Sequence, residues 1–71
     1  MQDISVMTIP FEVKGVIESR VYYYLKRTGC TTEQASRQAN NALLLSVKQL
    51  NAKFPQIDIY SICRDYHLSI N

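Results

Sequence analysis

The sequence predicts one small domain, residues 1–71, that is mainly α-helical, with a short N-terminal strand, two long helices and a short C-terminal helix. Three observations predict this fold class. The stretch 31–54 contains neither Gly nor Pro, residues 12–28 repeat apolar side chains at helical spacing, and the whole chain has only two Gly and two Pro. With 46% hydrophobic residues the chain is expected to fold, although so short a chain has a marginal core.

The N-terminal strand is predicted at residues 4–9, which read ISVMTI and stop at Pro10. Apolar and β-branched residues are typical of strands, and Pro cannot donate a ladder hydrogen bond. A strand must pair its backbone N–H and C=O groups. Two pairing partners for this strand are possible, namely residues 57–62 of the same chain and the same strand of a second copy.

The first long helix is predicted at residues 12–28, between Pro10 and Gly29. Its apolar stripe repeats at intervals of four, four and three residues and comprises Val13, Ile17, Val21 and Tyr24. Gly15 weakens the first turn by roughly 1 kcal/mol relative to Ala. The short link at Gly29 predicts a sharp corner with the next helix.

The second long helix is predicted to run from Thr31 to Phe54. Thr31 and Gln34 have the spacing of a capping box, and Pro55 ends the helix. One face is apolar and small, whereas Leu44 lies in the middle of the polar face. Either Leu44 is a tolerated surface residue, or two copies of this helix pack together in a homodimer. The residues expected in that dimer interface are Ala39, Leu43, Leu44 and Val47.

The C-terminal segment 56–71 fits a helical face with Asp58 as the N-cap, so a helix is preferred. Alternating apolar residues at 57–62 leave a strand open as the alternative. Cys30 and Cys63 lack a metal-binding or redox spacing and are expected to be free thiols. Cys63 with His67 is the one conceivable catalytic pair, and the sequence shows no other arrangement of a nucleophile with a base. No enzyme, no metal site and no cofactor are therefore predicted.

The formal net charge of +2 permits binding to a polyanion without requiring it. No secretory leader and no apolar run long enough to span a membrane are evident, so a cytoplasmic protein is expected. Basic residues interleave with tyrosines along the first helix, a pattern that can contact phosphates and bases. The residues predicted to contact nucleic acid are Arg20, Arg27, Arg37 and Lys48.

The order of strand, Pro10, helix, Thr28-Gly29 corner and a second helix opening at Thr31 resembles the ribbon-helix-helix family of DNA-binding proteins. The resemblance covers about residues 3–50. It implies an intertwined homodimer whose paired N-terminal strands enter the major groove of duplex DNA. Such a dimer would also cover Leu44 and pair the strand.

The sequence therefore predicts a small dimeric DNA-binding regulator of phage, plasmid or bacterial type. The alternative is a non-enzymatic protein-interaction module, an inhibitor or adaptor that binds a protein partner through an exposed helical face. Leu44 and the tyrosines at residues 22–24 would be its anchors.

Overall fold

The computed structural model describes residues 4–66, in which four α-helices follow one short 3-10 helix at Val6–Thr8. The helices are α1 at Phe11–Arg27, α2 at Thr32–Ala42, α3 at Val47–Lys53 and α4 at Ile59–Asp65. The prediction of a mainly helical protein is confirmed.

Helix α1 closely matches the predicted first helix. It follows Pro10 and buries Val13, Ile17 and Val21. At its C-terminus the N–H of Cys30 donates to the C=O of Leu25 at 3.1 Å, and the N–H of Gly29 donates to Lys26 at 3.2 Å. These two bonds form a Schellman motif, which requires a left-handed residue, and Gly29 supplies it with a φ of 107°. The predicted sharp corner between the first two helices lies at this glycine.

Helix α2 packs along α1 through small side chains. Its capping box is formed as predicted, since Thr31 Oγ1 accepts the N–H of Gln34 and Gln34 Oε1 accepts the N–H of Thr31. Ala35, Ala39 and Ala42 are buried on one face of α2. Alanines at helical spacing allow two helix axes to approach closely, because no long side chain separates the backbones.

The prediction of one continuous helix from residue 31 to residue 54 is wrong, because α2 ends at Ala42 and α3 begins at Val47. Ser46 is the N-cap of α3: its Oγ accepts the N–H of Gln49 at 3.1 Å, and Gln49 Oε1 accepts the N–H of Ser46 at 3.1 Å. Ser46 adopts extended backbone angles, which interrupt the helix. A second capping box thus divides the stretch into two helices.

The predicted N-terminal strand is also not formed, and residues 4–66 contain no strand. Ser5 and Ser46 form an isolated antiparallel bridge, in which the N–H of Val6 donates to Leu45 at 3.0 Å and the N–H of Val47 donates to Ile4 at 2.7 Å. The chain then turns into the 3-10 helix. Its backbone therefore finds a partner at the break between α2 and α3, which neither of the predicted pairings anticipated.

The C-terminal helix is confirmed as α4, and Asp58 caps it by accepting the N–H of Ser61 at 3.0 Å. Helix α4 packs against both α1 and α3. The core lies between these helices and the N-terminal segment, and its most deeply buried large side chains are Val6, Ile17, Val21, Leu50, Ile59 and Cys63. Tyr24 of α1 also meets Phe54 at the end of α3, edge to face, with ring centroids 6.1 Å apart.

Candidate interaction surfaces

The four basic residues predicted to contact nucleic acid lie on three different helices. Arg20 and Arg27 are exposed on α1, seven residues apart, and Lys48 lies in the first turn of α3. Arg37 is exposed on α2 and pairs with Glu33 at 3.3 Å. Since both partners of that pair are largely in solvent, the pair adds little stability and Arg37 remains accessible. The four residues are therefore divided among α1, α2 and α3.

The residues predicted to form a dimer interface differ in their exposure to solvent. Ala39 and Val47 are 1% and 2% exposed, because both side chains belong to the core of their own chain. Leu43 is partly buried against that core. Only Leu44, which is 67% exposed, presents most of its surface to solvent. A second molecule could contact Leu44 but not the two buried side chains.

Three large apolar side chains are mostly exposed in or near the N-terminal segment and the break between α2 and α3 that it pairs with. Met7 is 58% exposed, Phe11 is 84% exposed and Leu44 is 67% exposed. We call these three residues the apolar end. An exposed single leucine is ordinary, but a nearly fully exposed phenylalanine is the kind of side chain that interaction sites present.

Chain connectivity limits two of the distances within the apolar end. Met7 and Leu44 each lie one residue beyond the 3.0 Å hydrogen bond between Val6 and Leu45. With 3.8 Å between successive Cα atoms, their Cα atoms are no more than about 15 Å apart. Phe11 lies four residues after Met7, which imposes a similar limit of about 15 Å. Met7 therefore lies within about 15 Å of both Leu44 and Phe11, measured between Cα atoms.

A groove of about 240 Å³ lies between α1 and α2. Tyr22 and Tyr23 border it as an edge-to-face pair, with ring centroids 5.1 Å apart and planes at 80°. Glu18, which is partly buried, supplies its charged group. The remaining lining residues are small: Gly15, Ser19, Ser36 and Ala39.

The two cysteines are free thiols in different environments. Cys30 is partly buried, whereas Cys63 is fully buried. Burial raises the pKa of the Cys63 thiol, which disfavours the reactive thiolate. His67, the other member of the conceivable catalytic pair, lies outside the described residues. Within residues 4–66, no group of three or more His, Cys, Asp or Glu side chains could hold a metal ion.

Phe11 and Met7 were missed as candidates on sequence grounds. Phe11 directly precedes the apolar stripe that begins at Val13, and at 100° per residue it lies outside that stripe. An aromatic residue outside the buried stripe of an amphipathic helix could have been recognised. Met7 lies in the 3-10 helix, whereas the prediction placed it in a strand, so its exposure was not expected.

No protein-family model matches this chain, and no curated protein or solved structure matches it either. Among the helices that the structure describes, none combines the length and hydropathy needed to cross a membrane.

Proposed function

We propose that this chain is a non-enzymatic protein-interaction module that binds a different protein through the apolar end. The observation that carries the proposal is Phe11, a large aromatic side chain that is 84% exposed at the start of α1. Exposing such a side chain has no benefit for the stability of the free domain. Aromatic residues that enter a pocket on a partner commonly dominate binding energy.

The area of the apolar end favours a different protein over a second copy of this chain. Its exposed fractions correspond to on the order of 400 Å², since a large aromatic side chain alone presents roughly 150–250 Å². Two copies that met there would bury on the order of 800 Å² in total, less than the roughly 1,000 Å² expected of a specific interface. A concave partner can enclose Phe11 and also contact the surface around it.

The proposal is tested by capture with the full chain from a nuclease-treated lysate, using wild type, Phe11→Ser and Leu44→Ser. Tyr66→Ser is the matched control, because it removes an exposed aromatic ring outside the apolar end. All of these changes are at exposed positions, so each variant is expected to unfold within about 0.5 kcal/mol of wild type. Circular dichroism verifies this.

We expect one protein to be retained by wild type and by Tyr66→Ser, and to be lost with Phe11→Ser. Titration of that purified partner should then show affinity reduced at least roughly 30-fold by Phe11→Ser, as for an interface hot spot. If no captured protein depends on Phe11, the proposal fails. A stable dimer of wild type that Phe11→Ser dissociates would also contradict it, because the partner would then be a second copy.

A second candidate function, DNA binding, is favoured by the exposed face of α2. Arg37, Gln38 and Asn41 are exposed along this helix, and Arg, Gln and Asn are the side chains that commonly hydrogen-bond to base edges in the major groove. Lys26 adds a positive charge at the start of α2, where its Nζ donates to Thr32 Oγ1 at 3.0 Å. In this proposal α2, rather than a strand ribbon, enters the groove.

Duplex DNA binding is measured by fluorescence anisotropy at 50 mM and 200 mM salt. We expect affinity to fall steeply with salt, because Lys and Arg side chains displace counterions from phosphates. Arg37→Gln should weaken binding, whereas Arg64→Gln on α4 serves as a control for the loss of one positive charge. If no binding is seen at 50 mM salt, or if both variants weaken binding equally, α2 is excluded as the helix that contacts the bases.

A further inference from the structure

We infer that the groove between α1 and α2 is a binding site for an organic ammonium group, carried either by a small molecule or by a lysine side chain of another protein. This inference does not rest on the apolar end. It is drawn from a carboxylate, an aromatic pair and two hydroxyl groups that the fold brings to one depression.

The charge of the lining selects a cation. Among the described residues that line the groove, Glu18 alone is charged, so an anionic ligand would be repelled. Within residues 4–66 no Lys or Arg forms an ion pair with Glu18, although Lys14 lies four residues earlier on the same helix. Glu18 is a partly buried residue, and its negative charge attracts a cation to the groove.

The tyrosine pair provides the second element of recognition. In the edge-to-face arrangement of Tyr22 and Tyr23, the ring that contributes its edge keeps both faces free of the other ring. The face of a tyrosine ring attracts an ammonium group within about 6 Å of its centroid. Aromatic faces next to a carboxylate favour an organic ammonium group over a small metal ion, which would need several oxygen ligands.

The small residues of the groove determine the size of the ligand. Gly15 leaves open space, since a Cβ built there would have no atom within 4 Å. The hydroxyl groups of Ser19 and Ser36 can accept N–H hydrogen bonds from a primary ammonium group. At about 240 Å³ the groove is smaller than sites for drug-sized ligands, which span roughly 300–1,000 Å³, and suits a group of a few carbons.

The inference is tested by NMR titration of the full chain with butylammonium chloride, with 1-butanol as the uncharged control of similar shape. We expect saturable shifts of the backbone amides that line the groove, and no such shifts with butanol. Glu18→Gln should weaken binding at least about fivefold, because it removes the charge that attracts the cation. Glu12→Gln, an exposed glutamate on the same helix outside the groove, should leave the affinity within about twofold of wild type.

The spectra themselves show whether Glu18→Gln remains folded. Equal weakening by Glu12→Gln and Glu18→Gln would overturn the inference, because attraction to general negative charge would then suffice. The same groove shifts with butanol would overturn it as well. Parallel titrations with tetramethylammonium and Nα-acetyl-lysine amide distinguish the two sources: tighter binding of the first assigns a small quaternary ammonium ligand, and tighter binding of the second assigns a lysine side chain.

Discussion

Replacing each of the two glycines with alanine is expected to change the free energy of unfolding in opposite directions. Gly15 lies within α1 and is exposed, and no atom lies within 4 Å of the position that a Cβ would occupy there. An alanine at this position meets no clash and reduces the conformational entropy of the unfolded chain. Gly15→Ala should therefore raise the free energy of unfolding by about 0.5–1 kcal/mol.

Gly29 has equally open surroundings, so the cost of a methyl group there comes from the backbone alone. Its φ of 107° lies in a region that L-residues with a side chain rarely adopt. Gly29→Ala should lower the free energy of unfolding by about 1–2 kcal/mol, or open the Schellman bonds to Leu25 and Lys26. The two variants should thus differ by about 2 kcal/mol.

Urea and thermal unfolding followed by circular dichroism measure this difference. For a domain of this size, each kcal/mol shifts Tm by about 4–8 °C, so the two variants should be separated by roughly 10 °C or more. Gly29→Asn is the control, since Asn tolerates left-handed backbone better than Ala, and it should recover part of the loss. If Gly29→Ala leaves Tm unchanged or raises it, the assignment of Gly29 as a left-handed cap is refuted; if Gly15→Ala lowers Tm, the reasoning for Gly15 is refuted.

Three further changes test the cap, the core and the buried thiol. Ser46→Ala removes the acceptor for the N–H of Gln49 and should cost about 1 kcal/mol in urea unfolding; an unchanged midpoint would show that this cap does not hold the break. Leu50→Ala leaves a cavity in the core and should cost about 2–5 kcal/mol in the same assay, whereas a cost near zero would place Leu50 at the surface. Burial raises the pKa of the Cys63 thiol in the folded state above its ordinary value. The contribution of the buried thiol to the free energy of unfolding is therefore fully present below the unfolded-state pKa and is lost as pH rises toward the folded-state pKa. Urea unfolding at pH 7.5 and 9.5 should therefore show a larger loss of stability for wild type than for Cys63→Ala, and equal losses would contradict the assignment.

The elements predicted correctly from sequence are those whose boundaries are set by neighbouring residues. Helix α1 is delimited by Pro10 and Gly29, and α4 by its Asp58 cap. The Thr31 capping box at the start of α2 was also recognised. In each case the backbone groups at the helix terminus are satisfied within a few residues, so a local pattern contains the necessary information.

The break between α2 and α3 was missed although a local pattern for it exists. Ser46 and Gln49 have the same spacing as Thr31 and Gln34, but Ser46 follows three leucines that suggested an uninterrupted apolar helix. The bridge between Ser5 and Ser46 is a tertiary contact across 41 positions of the chain. Such a contact cannot be read from periodicity, and it favours the capped break over the continuous helix.

The candidate sites were predictable only in part. Leu44 was singled out because it lies on the polar face of the predicted helix, and the tyrosines at residues 22–24 because they lie among basic residues. The groove was not, since it requires Ser36 and Ala39 of α2 to face Gly15 and Glu18 of α1. The packing angle and register of two helices depend on the whole core and not on either helix alone.

The break also changes the reason for expecting a second molecule. In a continuous helix, residues 43–45 would point to three different sides, and a chain of 71 residues could not cover all of them. In the observed turn, Leu43 and Leu45 pack against the core and Leu44 alone is largely exposed. Burial of the leucines therefore no longer requires a dimer. Association must instead be driven by what remains outside the core, where Phe11 exposes a larger fraction of its side chain than Leu44 does, so Phe11→Ser should impair binding more than Leu44→Ser.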